Sequence, residues 1–530
     1  MGQTGTQWIQ HQLSGGWATD FGPVVHMAPS QSGAVTVPFL AEARNVIYEL
    51  DGGIHKMPGT VQLNASALES GAAIMGLYDY WRQGTTGTPE QRRVIHVGTT
   101  VKADDADGVF ADIGTGLQSG AVPHYNTFDD LLILCNDASA DVPKSYDGTT
   151  FQSLAGSPAN FAFTVTHKNR AWGAGDVTNP SRLYYSVNLN PEDWVGATSG
   201  SIDVNPSDGD MITGLYSFKN ELFIFKGPNK CSIHRLQGES PSTFTLVPFI
   251  SGIGAAWQNA IFPLPNDLGF ISPRGTVHSL VATQEFGDYS RATLSFVINR
   301  WLQQNVNQNR HRYWWTATDL DSGYVLLAIS PSGQTNNLKL LHLDFRFQTL
   351  GEPYPRWALW DAYGAASLAP VVDTSNRVRL FAGGYDGYVY KLDQATRTNN
   401  GSAYTMRVHT PFLDYGVEQI EKTIYAVGIN LAPKNANAVT FSWVRDGQTT
   451  QTATVTQGAS DVLGPAASNV FTLDSSVLGS TRYLSRWIEL EEGGTFRSIR
   501  YEITDALNDS DCELHGLSAA IQGGGISTEN

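Results

Sequence analysis

The sequence predicts an all-β chain whose larger part is a β-propeller, and three observations carry that prediction. From about Val37 to Asp393 a polar turn, a short apolar strand, a small-residue turn and a second strand recur in the same order. The step between these units is roughly 40 to 55 residues, the size of a four-stranded blade, which gives about six or seven blades. The composition suits such strands: 16% of residues are charged and 11% aromatic, with 53 glycines and 24 prolines. Branched and aromatic side chains pack on a pleated surface, and glycine supplies the positive φ of tight turns.

Along the chain, residues 1–36 read as an extended N-terminal arm and 37–393 as the propeller. Within the propeller, Lys168-Asn169 and Lys219-Asn220 each lead into an apolar strand, Ala171-Trp172 and Leu222-Phe223. Related units start at Asp129-Asp130, Asn266-Asp267, Asp321-Ser322 and Ser375-Asn376. A second signal, Asp51-Gly52, Asp147-Gly148, Arg274-Gly275 and Asp386-Gly387, marks hairpins read as type I′ turns, with two positive φ angles each. The earliest strands are expected to complete the last blade and so remove open sheet edges. Leu294, Val297, Ile298 and Trp301 at i, i+3, i+4, i+7 predict one amphipathic helix over Ala292–Gln304.

Residues 394–403 form a polar linker, after which longer alternating strands predict a C-terminal β-sandwich-like domain over 404–522. Tyr425, Val427, Ile429 and Leu431 are assigned to one inward face, as are Val439, Phe441 and Trp443, and Ile499, Tyr501 and Ile503. Residues 523–530 read as a flexible tail.

The net charge of −16 argues against tight duplex binding, which needs clustered Lys and Arg. Cys135, Cys231 and Cys512 are odd in number and far apart, so they read as buried thiols and not as a disulfide framework. The N-terminus carries no secretory signal pattern, and no apolar run approaches the ~20 residues of a membrane helix. Gly2 with Thr6 fits a loose myristoylation pattern that is common by chance.

A search for chemistry nominates no catalytic, cofactor-binding or metal-ligating residue, and the chain is expected not to be an enzyme. Nucleophile-elbow and phosphate-loop motifs are absent. Gly252-Ile253-Gly254 runs into Trp257 and lacks a βαβ setting. The stretch Asp104–Gly108 hints at a calcium loop, but Gly114 stands where the closing Glu belongs. The twelve histidines occur singly, and scattered strand histidines are more often core or surface residues than ligands. Ser145–Phe151 resembles the Asp-box hairpin of sialidase propellers, a fold element. The clusters Tyr313-Trp314-Trp315 and Trp357–Trp360 fit blade packing better than sugar platforms.

One family resemblance covers most of residues 20–525. The runs Lys168–Gly173, Asn179–Ser186 and Pro191–Trp194, with Gly53–Thr60 near the start, look like bacteriophage virion propellers. The stretch from Gly252 to Ser272, followed by the helix ending at Trp301, is similar to the tail nozzle proteins of short-tailed phages. Thr410–Gly416 and Lys422–Ile424 share that likeness. The resemblance implies a structural tail protein in a homohexameric ring that extends the portal and adaptor channel. Its implied partners are connector proteins, tailspike or fibre and a needle or plug, with genome DNA passing unbound. The implied location is the virion tail, and the host cytoplasm during assembly. The alternatives are a glycan-binding or glycan-cleaving propeller, expected to have an axial pocket of carboxylates and aromatics, and a receptor-binding tail protein.

Overall fold

The computed structural model describes residues 7–526, apart from 14, 22–23, 26–33, 37–38, 85–86, 106, 157–158, 282–292, 350–353, 416–418, 433–436, 457–483 and 490–493. Contacts divide the chain into two compact units. One gathers Met1–Thr60, His342–Ala362 and Asp393–Asn530, and the other Val61–Leu341 and Tyr363–Leu392.

The second of these is a β-propeller. Its blades are antiparallel meanders in which, apart from one early strand in the last blade, each strand pairs with the next along the chain. Five sheets have four strands and one has three, which gives six self-contained blades. The first holds Ile74–Gln83, Pro89–Val97, Thr100–Asp104 and Ala111–Thr115. The next three span 124–153, 163–203 and 211–251, and the three-stranded one spans 261–279. The last joins Ser367–Val372, Val378–Gly383 and Val389–Gln394 to the early strand Gly59–Gln62. Gly59–Gln62 thus closes the last blade, but the earliest strands, expected to do so, pair elsewhere: Gln7–Gln12 with Glu513–Ile526, and Ile54–Lys56 with Val46–Tyr48 and Glu513–Ile526. A further meander, beginning with Trp315–Asp319 and Tyr324–Ile329, has its first strand packed against Ile261–Leu264 and Ser367–Val372.

Hydrophobic cores lie between neighbouring blades. Tyr80, Val94 and Val101 of the first blade pack with Tyr125, Leu132 and Tyr146 of the second. Trp172 and Leu183 pack with Ile212 and Leu222 of the next blade along. Ile74, Leu77 and Ile95 meet Val371, Phe381 and Val389, which closes the ring with apolar surface.

The hairpins divide into two kinds, and the sequence signals map onto them differently from expectation. Asp129-Asp130, Lys168-Asn169 and Lys219-Asn220 are two-residue loops with positive φ at both positions, as a type I′ turn requires. In the Asp-Gly and Arg-Gly turns only glycine is left-handed, as at Gly52 (φ 90°) and Gly275 (φ 87°). There Gly52 N donates to Glu49 O at 3.0 Å and Glu49 N to Gly53 O at 2.8 Å. That is a three-residue loop, a type I turn closed by a left-handed glycine, and the type I′ reading is corrected.

The expected helix is also corrected. Ala292 lies outside the described residues, and Phe296–Ile298 is a 3-10 turn followed by a short α-helix, Asn299–Asn305. The Ser295 hydroxyl accepts from Val277 N and donates to Asn299 Oδ1, which ties the segment to its blade. Leu294, Val297, Ile298 and Leu302 are buried along it, while Trp301 is half-buried.

In the other unit, Glu513–Ile526 lies between Gln7–Gln12 and Ile420–Leu431, antiparallel to both. Ile499–Asp505 pairs with Met406–His409 and Ala438–Arg445. Val439, Phe441, Trp443, Ile499, Tyr501 and Ile503 are buried as expected. Tyr425 is not: it is 44% exposed, while Val427, Ile429 and Leu431 are fully buried. A register shift between Ile424 and Ala426 inserts a bulge, which turns Tyr425 to the opposite face. The linker Gln394 to Ala403 contains the end of the strand Val389–Gln394.

Candidate functional site

The first strand of each blade is the innermost, because successive first strands pack against one another. Residues that lead into these strands meet at one end of the ring. Val122 precedes His124–Phe128, Ala162 precedes Phe163–His167, Met211 opens its strand, and Tyr313 precedes Trp315–Asp319. Together with Trp257, Arg312, Asn136 and Asp137 they line a pocket of about 130 Å³ at that mouth.

Its chemistry is mixed. Trp257 is buried and edge-on to Phe163, with ring centroids 5.7 Å apart. The Arg312 guanidinium lies 4.7 Å from the Trp257 ring centroid, a cation–π contact, and its Nη2 is 3.2 Å from Met211 Sδ. Asn136 is oriented by two acceptors, since its Nδ2 donates to Gln118 O at 3.1 Å and to Asp141 at 2.5 Å. This leaves Oδ1 of a residue only 5% exposed without a partner. Asp137 Oδ1 accepts from Ser139 N at 2.9 Å and Ser139 Oγ at 2.6 Å. The pocket thus offers an aromatic wall, a cation, one carboxylate and an open amide acceptor, which together suit a small polar ligand.

A second cluster lies in the other unit. Asp51, Glu513 and His515 each offer one donor atom, and these atoms lie within 4.8 Å of one another. His515 Nε2 is 2.8 Å from a Glu513 carboxylate oxygen.

The motifs weighed in the sequence take structural places. Asp104 is buried and pairs with Arg93 at 2.9 and 2.5 Å, while also accepting from Gly108 N at 2.9 Å. Asp147 Oδ1 accepts from Thr149 N and Thr150 N, and these bonds hold its pKa below the usual carboxylate value. Gly254 brings its backbone so close to Lys226 O that a Cβ would lie 2.2 Å from it. Trp314, Trp315, Trp357 and Trp360 are buried in packing. All three cysteines are buried free thiols, and burial pushes Cys135 up to about 12 and Cys231 up to about 11. Burial also lowers His96 to about 4, and neither of its ring nitrogens has a hydrogen-bond partner.

Neither candidate cluster was nominated from the sequence. The pocket gathers residues from 121 to 313, and the carboxylate–imidazole cluster spans 51 to 515. The one local signal was Glu513-Leu514-His515, two polar residues flanking an apolar one, and a bulge at His515 interrupts the regular alternation there.

These sheets define the chain as a β-propeller protein. No family model matches it, and no curated protein matches its sequence. Among solved structures it is similar to one titled "YCF48 bound to D1 peptide", at 11% identity and a TM-score of 0.38, covering 63% of this chain and 97% of that one. It is also similar to the β-propeller domain of Myceliophteria thermophila Cps50 (Swd1), at 11% identity and a TM-score of 0.37, covering 62% and 99%. Among the described residues no helix is long and apolar enough to cross a membrane.

Proposed function

We propose that this chain is a structural protein of a short phage tail, a nozzle subunit in a ring that extends the portal and adaptor channel. The observation that supports this reading is where the resemblance residues sit. The run Lys168–Trp194 supplies the interior of the 163–203 blade: Trp172 and Trp194 are buried, and the Arg170 guanidinium donates to Ser186 O and Thr198 O. The mechanism is geometry and field, without bond chemistry. Sheets with few open edges resist deformation, and an acidic channel wall repels passing phosphates. The 404–522 region acts as a sandwich-like peripheral module that meets neighbouring subunits, connector, spike or needle.

Immunogold labelling of particles from the source lysate tests this reading. Label at the tail below the capsid vertex supports it, and protein free in the lysate with bare particles overturns it.

The pocket favours a second reading, a glycan-binding propeller. Asp137 is the one carboxylate among the lining residues, so binding is better supported than cleavage by a carboxylate pair. Saturation-transfer NMR against surface polysaccharide fragments checks it, with loss of signal expected in Trp257→Ala.

A further inference from the structure

We propose that Asp51, Glu513 and His515 form a binding site for one divalent transition-metal ion of the zinc class. Two carboxylates and an imidazole are a donor set that zinc takes at about 2.0 to 2.2 Å, with a fourth position left to water. The donor atoms already lie within 4.8 Å of one another, and Asp51 sits on an exposed turn where its Oδ1 accepts from Gly53 N at 3.1 Å.

The backbone builds this arrangement. On the strand Glu513–Ile526, Leu514 is fully buried between half-buried Glu513 and His515; the pairing with Ile420–Leu431 skips His515, and this bulge leaves its Nε2 2.8 Å from a Glu513 carboxylate oxygen. Cross-strand pairing of Glu513 with His55 and of Leu514 with Ile54 carries the register to Gly53, beside His515. The turn Glu49–Gly53, closed by left-handed Gly52, then swings Asp51 back toward that pair. Gly53 keeps the space open, because a Cβ there would lie 3.2 Å from Asp51 Oδ1 and 3.4 Å from His515 Cε1.

The electrostatics agree with the geometry. The side chains of Glu513 and His515 are only 13% and 10% exposed, so their charge is poorly screened by water. The imidazole selects zinc or cobalt over magnesium or calcium, which prefer all-oxygen sites.

The test uses the full chain, stripped with a chelator and titrated with Zn²⁺ by calorimetry and with Co²⁺ by visible absorption. One ion per chain is expected, with a cobalt ligand-field band. Asp51→Asn and His515→Ala should each weaken binding more than about tenfold, a ligand-loss effect at least as large as that of outer partners. Asp51→Asn sits on an exposed turn and is expected to keep the metal-free melting temperature, which separates ligand loss from misfolding. No binding, equal affinity for Ca²⁺ and Zn²⁺, or unchanged affinity in both variants overturns the proposal; in those cases Glu513 and His515 are only an ion pair.

Discussion

The propeller and the second unit solve the pairing of strands in opposite ways. In the propeller a strand finds its partner a few residues on: Phe128 pairs with Leu131, His167 with Arg170, Phe218 with Glu221. In the second unit His11 pairs with Leu517, Glu42 with His409, and Ile54 with Leu514. Such distant pairs cost loop-closure entropy before any contact offsets it.

The buried polar groups follow the same division. Lys226 in the propeller is held by Ser181 Oγ, Val204 O, Asn205 O and Asp208, all within the preceding blade or the turn that follows it. The second unit relies on a long-range chain in which the Tyr415 hydroxyl lies 2.8 Å from His11 Nε2 and 2.8 Å from the Tyr501 hydroxyl. Its buried Lys56 likewise reaches Asp505 at 3.5 Å and Leu507 O at 3.1 Å. Local pairing lets turn residues define the fold, whereas distant pairing has to be fixed by specific buried contacts.

The strongest way to break the local side is Trp172→Ala. Trp172 is fully buried and its Nε1 donates to His167 O at 3.0 Å, so truncation should cost about 3 to 5 kcal/mol. Urea denaturation measures this, and hydrogen exchange should show lost protection in the 163–203 and 211–251 blades. A cost near zero would mean that the blade does not depend on its own core.

Acid probes both regions through the same chemistry. The unfolded chain binds a histidine proton near pH 6.5, while folded His96 in the propeller and His11 in the second unit do so only near 4. Stability present above pH 6.5 is therefore lost as pH falls toward 4, with a slope of up to about 1.4 kcal/mol per pH unit for each group. His96→Leu should flatten the dependence of urea-melt stability on pH by about one proton over that window. His11→Leu should do the same, but with some loss at pH 7, since it also removes the Tyr415 bond.

Tyr415→Phe sharpens the distant side. It leaves His11 Nε2 and the Tyr501 hydroxyl without their shared partner, at a cost of about 1 to 3 kcal/mol. Exchange protection should fall along Gln7–Gln12. The smallest effect is expected at Asn220→Gly, where φ is 64° in a type I′ turn. A gain of about 0.3 kcal/mol in thermal stability is expected there, because glycine adopts that angle without steric cost.

What could be read in advance follows this division residue by residue. Lys168-Asn169 and Lys219-Asn220 were visible as turns because the residue types that tolerate positive φ are few. The glycine turns were visible too, but their loop length was not: Asp51-Gly52 has the same letters as a two-residue turn and closes over three. Tyr425 shows the limit of alternation, since one bulge takes it off the inward face that Val427, Ile429 and Leu431 keep. The two candidate sites were hidden because each gathers side chains that only closure of the ring or the 513–526 pairing brings together.

The sequence by itself determined the all-β class, the blade-sized repeat, the turn positions and the burial of Trp172, Phe441 and Tyr501, since strand periodicity and turn stereochemistry act over a few residues. Only the tertiary structure decided that Gln7–Gln12 pairs with Glu513–Ile526, that Asp51 reaches His515, and that Trp257 and Arg312 share a pocket with Asn136. Those outcomes depend on which distant apolar faces bury one another, and burial is non-directional, so it leaves no mark at any single position in the chain.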